Sequence, residues 1–104
     1  MNIEQGALLC GKVDQELFYI LLEISPIHSE KVMLAMRDYL VHGHSRRDVC
    51  NRYGLNNGYF SVSISRLIRI NQLIIAALPY YPDSIKIFGG EGKYTRTILN
   101  KNWV

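Results

Sequence analysis

SRRDVCNRYGLNNGYFSVSISRLIRI, residues 45–70, decides the fold. It reads as two helices joined by a tight turn. Ser45 has the chemistry of an N-cap, and Asp48, three residues on, places negative charge at the positive end of the helix it opens. Val49, Cys50 and Tyr53 give this short helix one apolar stripe. Gly54 stands where a chain leaves a helix through the left-handed region, which glycine enters without steric cost. Leu55 can bury itself in the turn, and Asn56 caps a second helix with apolar positions Phe60, Ile64, Leu67 and Ile68. This is the layout of a helix-turn-helix. Cys50, four residues before Gly54, is small enough to let the helices approach closely, and Phe60, six after it, can reach back to the first helix.

Left facing outward are Arg46 and Arg47 on the first helix and Asn56, Asn57, Tyr59, Ser61, Val62, Ser65 and Arg66 on the second, with Arg69 one turn further. Amide, hydroxyl and guanidinium side chains near the start of a second helix suit base edges and phosphates. The candidate DNA-binding set is therefore Arg46, Arg47, Asn56, Asn57, Tyr59, Ser61, Ser65, Arg66 and Arg69. An αα-hairpin packed in a core with solvated arginines would use the same pattern, so spacing alone leaves both readings open.

The charge distribution bears on that choice. Residues 1–28 set Lys12 against Glu4, Asp14, Glu16 and Glu23, a net −3, whereas residues 29–72 carry a net +4 and residues 73–104 a net +2. Positive charge thus collects on and beyond the helix-turn-helix, as a polyanion partner requires. With 104 residues the chain fits one small domain. Its two cysteines, Cys10 and Cys50, form no CxxC, which argues for a reducing cytoplasm rather than a disulfide framework. The short apolar run at residues 17–22 is flanked by acids, so neither a signal peptide nor a membrane span is expected.

Around the helix-turn-helix the chain reads as an all-α small helical bundle. Residues 1–13, interrupted by Gly6 and Gly11, show no period and are expected as a flexible arm. Asp14 caps a short helix that is apolar nearly all round and ends at Ser25-Pro26, which suits burial in the monomer or against a second copy. Ser29 caps the next helix, to about Val41, with Val32, Ala35, Met36, Tyr39 and Leu40 on its apolar face, Lys31, Arg37 and Asp38 outside it, and Gly43 ending it. This helix should back the helix-turn-helix in a three-helix core. The long final helix from Asn56 meets no stop before Pro79, roughly 34 Å. Asn71 on its buried stripe marks either a partner-facing position or a break. Residues 73–78 are too apolar to stand free, and should fold back or meet another subunit. The domain is placed at residues 14–84, followed by a tail over 85–104 that is either irregular or a basic hairpin like a wing.

Other features point nowhere. GGEGKYT lacks the early glycine and the Ser or Thr of a phosphate loop. His42 and His44 have no nearby cysteine or carboxylate to complete a metal site, although His44 could contact a phosphate. No nucleophile–base set or paired carboxylates suggest an enzyme, and no cofactor or small-molecule substrate is expected.

The strings LAMRDYLV.GHSR..VC..Y and NNGYFS....RLIR.N, within residues 27–71, closely resemble the regulators of pilus and adhesin operons typified by PapB, and PYYPDS at residues 79–84 is similar too. The match is looser before residue 27 and stops at Ile85. The resemblance implies a bacterial, cytoplasmic, nucleoid-associated transcription regulator that binds A/T-rich double-stranded DNA upstream of adhesin genes as a homo-oligomer on repeated sites. It carries phosphate or groove contacts to Arg46, Arg47, Asn56, Asn57, Tyr59, Ser61 and Arg66, and it implies the minor groove. A helix fits the major groove by width, and arginines entering a narrow A-tract minor groove would reconcile the two. The alternative is a protein-interaction module that uses the helix-turn-helix as a docking surface. RNA binding is a weaker third, since Tyr59 alone offers an exposed aromatic for stacking.

Overall fold

Each helix opens where the chain supplies a side-chain acceptor for a free backbone N–H. In the computed structural model, which describes residues 6–83, Asp14 accepts from the N–H groups of Glu16 and Leu17 at 2.8 and 3.3 Å. Ser29 accepts from Val32, Ser45 from Asp48 and Asn56 from Tyr59. These caps start α1 (Gln15–Ile24), α2 (Glu30–Leu40), α3 (Arg46–Tyr53) and α4 (Asn57–Ala77), the last running into a 3₁₀ turn at Leu78–Tyr80. All regular structure among the described residues is helical. Gly54 ends α3 at φ +66°, and its N–H reaches the Cys50 carbonyl, so the turn forms as its glycine requires.

The core is continuous through all four helices. Phe18 and Leu21 of α1, Val32, Met36 and Leu40 of α2, Val49 of α3, and Phe60 and Leu67 of α4 are fully buried. Each such side chain contributes about 1.5–3 kcal/mol of burial. Helices α2, α3 and α4 touch pairwise, giving the three-helix core expected for the motif, and α1 packs on α4 and α2. The segment Asn57–Tyr80 is long and apolar enough to cross a membrane by length and composition. Its buried side is a core seam, however, and Arg66 and Arg69 stand exposed on its other side.

Three expectations change. Residues 6–13, read as part of a flexible arm, are seated on the bundle. Leu8 and Val13 are buried, and the N–H groups of Gly11 and Val13 donate to the Tyr39 and Leu40 carbonyls at the end of α2. A strap held by backbone hydrogen bonds needs no apolar period, which is why the sequence pattern does not show it. At Gly11, with φ +70°, an added Cβ would stand 2.9 Å from the Gly43 Cα, so both glycines serve this close crossing. Asn71 neither breaks α4 nor faces a partner: it is buried, and its Nδ2 donates to the Gly6 carbonyl at 3.1 Å. Asp38, placed outside the apolar face of α2, is also buried. The tail, with its hairpin or wing, and the first five residues of the arm lie outside the described residues.

Candidate nucleic-acid interface

Asp38 explains how α3 is held. Its Oδ2 accepts from Tyr53 Oη at 2.7 Å and from Arg52 Nη1 at 2.9 Å, while its Oδ1 accepts from Arg37 Nη2 at 3.1 Å. Burial alone would push this carboxyl up. The hydrogen bonds from Tyr53, Arg37 and Arg52, with the charge of Arg37, outweigh it and hold Asp38 below the ordinary carboxylate range. The same carboxylate, and then burial, push the Tyr53 hydroxyl up. Arg52 Nη1 also lies 3.0 Å from His44 Nδ1, and the His44 N–H donates to the Asp38 carbonyl. The C-terminal half of α3 and the loop before it are thus tied to α2 through one buried charge.

The N-terminal half of α3 meets α4 differently. Arg46 Nη1 donates to Ser61 Oγ at 2.6 Å, and the guanidinium lies over the Tyr39 and Phe60 rings, 5.4 and 5.5 Å from their centroids. Those rings meet edge-on. Arg46 and Ser61 therefore share one side of the molecule, as the sequence reading requires, but each is half-buried and they are hydrogen-bonded to each other. Asn56 is likewise partly committed, since its Oδ1 caps α4 and only its amide N–H₂ is left to give.

The remaining candidates are free toward solvent. Arg47 and Asn57 line a concavity of about 460 Å³ between α3 and α4, together with Arg46, Asn51, Cys50 and Leu55. Along α4, Tyr59, Val62, Ser65, Arg66 and Arg69 form one exposed stripe opposite the buried Phe60, Ser63, Ile64, Leu67 and Asn71. Among the described residues both ion pairs converge on Asp38, so Arg47, Arg66 and Arg69 carry uncompensated charge. Asn51 is a further exposed lining residue that sequence reasoning passed over. Its signal was its place one turn after Arg47 on the same face of α3.

A second exposed region is apolar. Ile24 ends α1 half-exposed beside Ile70, Leu73, Ile74 and Ala77 of α4 and Tyr81, around a cavity of about 240 Å³. Leu78 and Tyr80 stand exposed next to it. Among the described residues, then, the apolar end of α4 lies largely uncovered.

The family model described as "PapB: Adhesin biosynthesis transcription regulatory protein" matches residues 1–81. The chain is 50% identical over 88 residues to the Escherichia coli "Major pilu subunit operon regulatory protein PapB", covering 85% of each chain. It is 46% identical to the E. coli AFA-III adhesin operon regulatory protein, across 74% of this chain and 76% of that one. The crystal structure of E. coli FocB superposes with a TM-score of 0.70 at 51% identity, covering 77% of this chain and 91% of the other.

Proposed function

The chain belongs to the PapB family of adhesin biosynthesis transcription regulatory proteins, and from that premise we propose that it acts on adhesin or fimbrial operons in the bacterial cytoplasm by binding A/T-rich DNA as a homo-oligomer. The observation that carries this reading is the face on which Arg47, Asn51 and Asn57 rim the concavity between α3 and α4, continued along α4 by Tyr59, Ser65, Arg66 and Arg69. Among the described residues no acid forms an ion pair with the guanidinium groups there, which suit phosphates, and the amides and hydroxyls suit base edges. Association with the nucleoid follows from such binding. The apolar surface that the described residues leave exposed around Ile24, Leu73, Leu78 and Tyr81 supports self-association, since removing such surface from water is favourable.

Two measurements test this. Fluorescence anisotropy against an A/T-rich duplex and a G/C-rich duplex of equal length should show tighter binding to the first. Equal affinity for both would reject the sequence preference, and no binding to either at low salt would leave a protein-docking module. Light scattering at micromolar concentration should give particles of more than one chain, and a strict monomer on and off DNA would reject self-association.

A further inference from the structure

Arg46 sits at the opening of α3, where a phosphate contact would be expected, yet its guanidinium is already engaged inside the protein. It donates to Ser61 Oγ at 2.6 Å and lies over Tyr39 of α2 and Phe60 of α4. A planar cation resting on aromatic faces is held in place by their quadrupoles, and a fork of N–H donors can satisfy a hydroxyl at the same time. These contacts join three helices beside the concavity that Arg46 helps to line.

We propose that Arg46, with Tyr39 and Ser61, is a positioning residue for DNA binding: it fixes how α3 lies against α4, and so the spacing between Arg47 on one helix and Tyr59 and Arg66 on the other, without contacting phosphate itself. The inference rests on the DNA-binding reading above. It differs from a simple charge contact in what each substitution removes. Lysine keeps the charge but loses the planar stacking and the fork, so Arg46→Lys should behave like Arg46→Ala. Ser61→Ala removes the hydrogen bond and leaves the charge in place.

The test is a salt titration of duplex affinity for the full chain, with stoichiometric titration to count active protein. Arg46→Ala, Arg46→Lys and Ser61→Ala should weaken binding at every salt concentration, by about tenfold for the arginine variants, the scale of one broken charge-assisted hydrogen bond. The slope of log K against log salt should stay at the wild-type value, because the number of counterions released is unchanged. The double variant Arg46→Ala/Ser61→Ala should be no worse than Arg46→Ala alone, since both break one contact. A slope lowered by about one unit in Arg46→Ala, with Arg46→Lys near wild type, would overturn the proposal and make Arg46 a phosphate ligand. If Arg46→Ala does not fold, Ser61→Ala and Arg46→Lys decide alone: binding at wild-type strength in both overturns the proposal. Failure of the wild-type chain to bind any duplex would strike the DNA-binding reading instead.

Discussion

Arg52 and Arg47, both on α3, use their charge in opposite ways. Near the C-terminal end, Arg52 turns inward to Asp38, where Tyr53 and Arg37 also donate, and its charge serves to hold α3 to α2. Near the N-terminal end, Arg47 stands exposed beside the concavity and forms no ion pair with any described acid. Residue type alone does not separate them; a buried carboxylate one helix away does. A basic helix can therefore carry structural and functional cations within two turns, and only the outward ones add to the field that attracts a polyanion.

The largest stability effect should come from removing the buried acid. Asp38→Asn leaves Tyr53, Arg37 and Arg52 without their anion and should cost about 2 kcal/mol, read as a lower denaturant midpoint. A variant as stable as wild type would show that the cluster is incidental. Tyr53→Phe takes away one donor of three and should cost about 1 kcal/mol. The pH dependence follows the same carboxylate. Its folded pKa lies below the unfolded value of about 3.9, so its contribution is complete above that value and is lost as pH falls through the folded one. The stability gap between wild type and Asp38→Asn should therefore close on acidification below about pH 4. For Tyr53 the sign reverses: its raised pKa contributes stability below about pH 10 that is lost as pH rises through the folded value. Arg47→Ala should change stability least, within about 0.5 kcal/mol, while lowering the salt slope of binding by about one unit. A stability loss larger than that of Tyr53→Phe would place Arg47 with Arg52 and erase the contrast.

What the sequence makes legible is local. Ser45, Gly54 and Asn56 act within three or four residues of themselves, so their caps and the left-handed turn can be read directly. Arg52 for Asp38, Ser61 for Arg46 and Gly6 for Asn71 are partners 14 or more residues away, and they depend on how the chain crosses itself. Periodicity assigns a charged residue to the outside unless a buried partner is known, and that is why Asp38 reads as exposed when it is not. The strap over residues 6–13 escapes for another reason: backbone hydrogen bonds to Tyr39 and Leu40 leave no side-chain pattern. Its two positive-φ glycines, Gly6 and Gly11, are the available sign that the chain turns there rather than wanders. In the candidate interface the residue types are legible, but the commitment of Arg46 and Ser61 to each other is not.

A salt titration of the variant with alanine at Arg47, Arg66 and Arg69 together probes the exposed face most directly. Every phosphate left unneutralised takes away close to one unit of slope, so the three together should flatten the dependence of log K on log salt by roughly two to three units, with the fold intact by circular dichroism. A folded variant that binds the duplex with the wild-type slope would place the DNA on some other surface.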